Sequence, residues 1–360
     1  MLDGVDAGSA AHQDWPPFVL VAGLLLVGLV ADEAGLFATA GRALARISTS
    51  GAVLFAGAVV LVAIVTSILN IDTSVAFLTP VLVYAARSRG EGEAPLLYGC
   101  LLLSNAASLL LPGSNLTNLI VLGHLHLAGG RFLSLAAPAW LVSILVTAGV
   151  VAFAERNALR GRATPQARDV LTSDPDPLGL AVALAAVCAV TVCVVVLHAP
   201  ALPVAAVGVL ATGARALSRR ASPTTVIDTL GLPVLVGLFG VAVALGTLGR
   251  SWSGPSAALS HLDSWGTAAV AALATVAFNN LPAASLLAAR VPHRPFALLV
   301  GLDIGPNLFV TGSLAWVLWL RAASNAGATP SIAKATRLGL VAAPLAMVGA
   351  LGVLALAGTH

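Results

Sequence analysis

Leu111-Pro112-Gly113-Ser114-Asn115-Leu116-Thr117-Asn118 lies in the middle of an apolar run, residues 95–127. Pro removes a backbone donor, Gly lowers helical propensity, and Ser, Asn and Thr compete for backbone partners. The run therefore reads as a helix broken at its centre. Residues 296–322 repeat the pattern, interrupted by Gly305-Pro306-Asn307 and by Thr311-Gly312-Ser313. Two more apolar runs carry a polar tip. Residues 51–86 break at Asn70-Ile71-Asp72-Thr73-Ser74, and residues 264–290 break at Asn279-Asn280-Leu281-Pro282. Bare backbone at membrane depth is costly unless it is buried in protein or lines a watered cavity. One break would be a kink. Four, paired in the two halves of the chain, point to internal repeats around a binding site at mid-membrane.

Composition puts these runs in a bilayer. The chain has 360 residues, 58% of them hydrophobic and 9% charged, with a mean hydropathy of +0.97. A soluble globular chain carries roughly 25% charged residues. Ordinary spans read at about 17–38, 135–153, 178–198, 201–214, 230–249 and 338–357. Each approaches the ~20 residues that cross the hydrocarbon as a helix, and none alternates as a barrel strand does. The acidic leader (Asp3, Asp6, Asp14) does not resemble the basic start of a secretory signal. Cys100, Cys188 and Cys193 fall in apolar runs without CxxC spacing and read as small hydrophobes. The sequence pI of 9.1 reports orientation rather than a nucleic-acid partner.

Suppose 51–86 and 264–290 are hairpins that return to their own side, while 95–127 and 296–322 cross. One face then receives 14 of the 18 basic residues and the other only Arg131, Arg250, Arg290 and Arg294. If each hairpin were one crossing, the split would be 7 to 11. The strong bias favours hairpins, with the rich face cytoplasmic. The expected fold is an all-α integral membrane protein of two inverted repeats, each with a re-entrant helical hairpin and a discontinuous transmembrane helix. Residues 1–154 form the first repeat, 155–177 a cytoplasmic linker and 178–360 the second repeat. The expected location is the inner membrane, multi-pass, with the N-terminus outside.

The intramembrane polar inventory is short. Asp72 sits at the first tip beside Asn70, Thr73 and Ser74, and a buried acid at that depth is a functional candidate by default. Its other reading is a cap for the following helix. Asp303 precedes Gly305-Pro306 and reads equally as a proton carrier or as a partner for freed backbone donors. Ser114, Asn115, Thr117 and Asn118 of one half are expected to face Asn279, Asn280, Asn307, Thr311 and Ser313 of the other. These neutral hydroxyls and amides suit a small hydroxylated solute or a partly dehydrated ion. No Lys, Arg or His lies at a tip, so an anion would rely on helix dipoles or a co-bound cation. His124, His126 and His261 read as surface histidines, and no metal site or cofactor is expected. HExxH, G-x-S-x-G and P-loop motifs are absent, so no enzyme is expected.

At these residues the chain resembles the arsenite efflux permeases of the ion transporter superfamily. The resemblance runs from Ala31-Asp32-Glu33-Ala34-Gly35-Leu36-Phe37 through Asp72 and Leu78-Thr79-Pro80 to Ser114-Asn115-Leu116-Thr117-Asn118. It continues at Phe278-Asn279-Asn280-Leu281-Pro282, Gly301-Leu302-Asp303-Ile304-Gly305-Pro306 and Thr311-Gly312-Ser313-Leu314-Ala315. It implies proton-driven export of arsenite and antimonite, an elevator-type transport domain, a soluble arsenite-stimulated ATPase as partner and a homodimeric assembly. The chain opens at what corresponds to the family's third helix, a short form. Two further departures are Ile71-Asp72 in place of Asn-Asp, and Asn307 where a basic residue is common. The alternative within transport is a sodium- or proton-coupled carrier of another ion or a small carboxylate. From a different class, a membrane-embedded enzyme or receptor would need a catalytic pair at one cavity.

Overall fold

In a computed structural model the protein is described over residues 4–123, 125, 127–160, 176–217 and 223–358. Most of the linker expected at 155–177, and both His124 and His126, fall outside the described residues. The described residues are helical and contain no strand. Among the described residues six helices are long and apolar enough to cross a membrane: Ala7–Glu33, Gly51–Ile68, Gly129–Ala154, Pro177–Val196, Thr225–Ser251 and Ile332–Leu356.

The chain begins with α1 (Gly4–Glu33), which carries Pro16 and Pro17 inside it. It starts well before the expected span at 17, because Asp14 is buried at 2% exposure instead of being a solvated leader residue. Gly35, in the left-handed region at φ 77°, ends α1 and lets the amphipathic α2 (Leu36–Ile47) leave at an angle. α2 buries Phe37, Gly41 and Leu44. Asp32 and Glu33 close α1, as boundary charges should.

Next comes the first hairpin. Its rising arm is α3 (Gly51–Ile68), and Asn70 caps the return by accepting from Thr73 N at 2.7 Å. The return arm runs through α4 (Ile71–Thr73), a wide π turn (Ser74–Leu78) and α5 (Thr79–Ser88). The wide turn ends just before Pro80, which has no N–H to donate one turn back. The first broken helix is α6 (Ala94–Ala107), a tight turn at Pro112–Ser114 and α7 (Leu116–Leu122). α8 (Gly129–Ala154) and the short α9 (Arg156–Leu159) close this half.

The second half adds α10 (Pro177–Val196) and α11 (Ala201–Leu217), then α12 (Pro223–Leu230), α13 (Leu232–Ser251) and α14 (Gly254–Ser260). Its hairpin is α15 (Ser264–Phe278) and α16 (Asn280–Leu287), turning at Asn279. Its broken helix is α17 (Pro295–Ile304), a tight turn at Gly305–Leu308 and α18 (Leu314–Asn325), followed by α19 (Ile332–Leu356).

Polar clamps show which ends lie together. Arg89 donates to Ala45 O at the end of α2, and Arg87 donates to Ala326 O and Gly327 O past the end of α18. Lys334 pairs with Glu155 at 2.6 Å, and Arg215 joins Asp176 to Glu33 O. At the opposite ends of these helices, Arg290 donates to Arg250 O, Arg250 to Gln13 Oε1 and Arg294 to Leu262 O. The first hairpin thus opens at the basic-rich end and the second at the other.

The apolar core divides in a crossed manner. One cluster packs the first hairpin and α6 with Trp316 and Trp319 of α18, the far end of the other broken helix. The second packs α15–α17 with Leu116, Ile120 and Val121 of α7. The close approach of α17 to α15 needs Gly301 and Gly305: a Cβ on Gly301 would overlap Ala268 O, and one on Gly305 would lie 2.6 Å from Ala272 Cα. Small residues one turn apart are the usual means of close helix packing in membranes.

Cysteines placed at the exposed Thr49 and at Ser88 should label from one face of a sealed vesicle, and cysteines at Asp263 and His293 from the other. Ser48 would be a poor reporter, since it is buried with its hydroxyl on Leu44 O. Labelling of 49 and 88 from opposite faces would break the hairpin topology.

Candidate functional site

The two broken helices meet at their breaks. Asp303, two residues from the start of the second break, is 0% exposed. Its Oδ1 accepts from Asn115 Nδ2 at 3.0 Å and from Thr117 Oγ1 at 2.8 Å, both at the start of α7. Its Oδ2 has no protein partner. Asn307 is one turn further along and so lies on the same side. It accepts from Asn105 Nδ2 at 2.9 Å and donates to Leu102 O at 2.9 Å. Ser313, at the start of α18, donates to Asn105 Oδ1 at 3.3 Å. The first hairpin joins through Ser74 and Ser104, whose hydroxyls are 3.2 Å apart.

Other polar residues serve the freed backbone. Ser114 and Asn118 both donate to Ser108 O and Leu111 O within their own break. Trp140 Nε1 and Ser67 Oγ donate to Ala107 O, the last carbonyl of α6. Trp316 Nε1 donates to Pro306 O at 2.9 Å. Buried carbonyls left bare cost about 1–3 kcal/mol each, so these bonds are what makes a break tolerable at this depth.

The tips behave differently from one another. At the second, Asn280 N donates to Gly312 O, Asn279 Nδ2 to Thr311 O, and Thr311 Oγ1 to Val276 O. Asn279 holds φ at 77°, unusual for a side chain other than glycine, and caps α16 from there. Asn279, Asn280 and Thr311 therefore bind their own half rather than facing the other. At the first tip, Asn70 Nδ2 and Thr73 Oγ1 are buried without a protein partner. Asp72 is partly exposed and takes no part in the bonds that join the two breaks.

Of the residues singled out in the sequence, Asn115, Thr117, Asp303, Asn307 and Ser313 come together. Asn105, Ser104 and the indole donors escaped notice. Asn105 had one signal: it stands ten residues before Asn115, as Asp303 stands ten before Ser313. No cationic side chain bonds to these groups, and no trio of His, Cys, Asp or Glu gathers as a metal site among the described residues. A cavity of about 740 Å³ opens at the less basic end beside His12, His198 and Arg250, and Pro112 of the first break is among its lining residues.

A family model for citrate transporters (CitMHS) matches residues 4–312. The chain belongs to the citrate transporter family. It is accordingly a membrane transporter and not an enzyme. The crystal structure of the Alcanivorax borkumensis YdaH transporter, described as having an unusual topology, is similar at a TM-score of 0.54. The two share 17% identity over 97% of this chain and 86% of that one, a likeness of fold alone. No curated protein sequence matches significantly.

Gly339 of α19 lies against the second break so closely that a Cβ would overlap Asn307 O. Gly339→Ala should displace Asn307 from Asn105 and cost about 1–3 kcal/mol, as overpacking does. The check is thermal unfolding in detergent beside transport rate. Wild-type stability with full transport would show that the Asn307 carbonyl is not held where it is described.

Proposed function

We propose that this transporter exports a small neutral, polyhydroxylated solute in exchange for protons moving inward, with arsenite and antimonite as the first candidates. The observation that carries the reading is the Asp303 carboxyl, fully buried where the two halves meet. One oxygen is held by two donors of the opposite half and the other has no protein partner. A group so placed, loaded with a proton on one side and unloaded on the other, alters what the neighbouring amides and hydroxyls can offer a solute. Asp303 thus ranks ahead of Asp72, which is partly exposed and stands apart.

The solute would lie between the breaks and the first tip, against Asn70, Thr73, Ser74, Asn115, Thr117, Asn307 and Ser313. Uncharged trihydroxylated arsenite complements such a lining, whereas arsenate lacks a cationic partner there. In this reading residues 1–154 and 178–360 are inverted repeats, and the hairpins with the broken helices move as an elevator against α1, α10, α11 and α13. A second copy and a soluble ATPase partner belong to the arsenite reading.

A second reading is favoured by the family's description: a carboxylate such as citrate. A cation beside Asp303 would then supply the positive charge that no side chain does.

Everted vesicles supplied with arsenite, antimonite, arsenate, or citrate with Na⁺ or Mg²⁺ separate the two. The expected result is arsenite accumulation in an acidified lumen, reduced by antimonite and indifferent to arsenate. Raising lumen pH to that of the medium should abolish accumulation. Asp303→Asn should reduce pH-driven accumulation about tenfold or more, the scale of ordinary coupling between two sites. Cation-dependent citrate uptake without arsenite competition would overturn the first reading in favour of the second.

A further inference from the structure

The bonds that join the halves are reciprocal. Asp303, in the last turn of α17, is held by Asn115, the residue that caps α7. Asn105, in the last turn of α6, is held by Ser313, the residue just before α18. Asn115 and Ser313 share one extended backbone conformation, φ −150° and ψ 143° against φ −154° and ψ 158°. Each partner stands ten residues after the polar residue of its own half, and each break carries a proline, Pro112 or Pro306. Both Asn105 and Asp303 are 0% exposed.

We propose that Asn105 is the first half's counterpart of Asp303: a positioning residue that holds the second break as Asp303 holds the first, at a site where an acid would take over the proton. This rests on the assignment of the coupling proton to Asp303. The two sites differ in one atom type. At 303 the side chain is an acid, whose two oxygens both accept when it is ionised and one of which donates when it carries the proton. At 105 it is an amide whose Nδ2 donates to Asn307 Oδ1 and Leu101 O while Oδ1 accepts from Ser313. The amide therefore locks Asn307 with its own Nδ2 on Leu102 O. An acid at 105 keeps the Ser313 bond and turns the Asn307 amide over, so that Nδ2 leaves Leu102 O and donates to the carboxylate instead.

No charged side chain of a neighbouring helix bonds at either site. The helices packed against α6 and α17 carry Asp72, Tyr84, Tyr98 and Cys100. Their other charged groups are Lys334, Arg87, Arg131, Arg156, Arg321 and Arg337, and none of these bonds to Asn105 or Asp303. Asp303→Asn preserves the oxygen that accepts from Asn115 and Thr117, so it removes titration with little change of shape.

The test uses the full chain in proteoliposomes with a pH-sensitive dye inside, as wild type, Asp303→Asn, Asn105→Asp and the two together. Arsenite is the probe, or citrate with Na⁺ or Mg²⁺ if that is what the wild type carries. Solute-driven proton flux is read across a pH series. Asp303→Asn should lose the flux. The double variant should recover it about tenfold over Asp303→Asn, a coupling ordinary for residues of one hydrogen-bond network. Its pH midpoint should differ from the wild type's, which a merely structural role would not produce. A well-folded double variant no better than Asp303→Asn overturns the counterpart. Retained flux in Asp303→Asn overturns the proton assignment itself, and with it this inference. If the double variant fails to insert, Asn105→Asp alone decides. A second limb in its pH profile supports the proposal, and a wild-type profile overturns it.

Discussion

Backbone carbonyls freed at two breaks deep inside an apolar stack must find donors, and most of the structure can be traced to how they do so. Ala107 O takes Trp140 and Ser67, Ser108 O and Leu111 O take Ser114 and Asn118, and Pro306 O takes Trp316. Trp140, Ser67 and Trp316 each fix a neighbouring element. Trp140 ties α8 to the first break, Ser67 brings the top of the first hairpin, and Trp316 turns α18 back over its own break. A lipid-facing break would have none of these, so both must be buried, and the elements that bury them define the core.

Burial of two breaks against each other has a functional consequence. Polar groups that are too few to line a channel become concentrated at one crossing: Asn105, Asn115, Thr117, Asp303, Asn307 and Ser313. Because α7 packs with the second hairpin and α18 with the first, a shift of either hairpin reaches both sides of that crossing. The tips are not equivalent. Backbone bonds to Thr311 and Gly312 tie the second to its own broken helix, whereas the first leaves Asn70 Nδ2 and Thr73 Oγ1 without protein partners. The crossing is therefore asymmetric, with unpaired polar atoms at the first tip and backbone-paired ones at the second.

Much of this was legible in the sequence, for physical reasons. Pro112-Gly113 and Gly305-Pro306 cannot continue a helix, and an apolar run containing them announces a break whatever its partners. Other features depend on distant chain. Asn105 sits in an apolar helical run and its partners lie more than 200 residues away, so a single sequence offers only its spacing to Asn115. The true start of α1 was hidden because Asp14 looks like a solvated leader residue until Arg250 of α13 is brought beside its end of the helix. The expectation that every polar tip residue faces the opposite half missed Asn279 and Thr311. Their bonds are local to one half and show no periodicity.

Whether the crossing of the breaks is where solute sits can be read directly. Crystals grown with arsenite allow the arsenic to be located by its anomalous scattering, and citrate density would serve the alternative solute. The account predicts the solute between Asn115, Thr117 and Asp303, within about 3–4 Å of their polar atoms, the reach of a direct hydrogen bond or one slightly lengthened. Solute found only beside His198 and Arg250 in the outer cavity, with the crossing undisturbed, would contradict it.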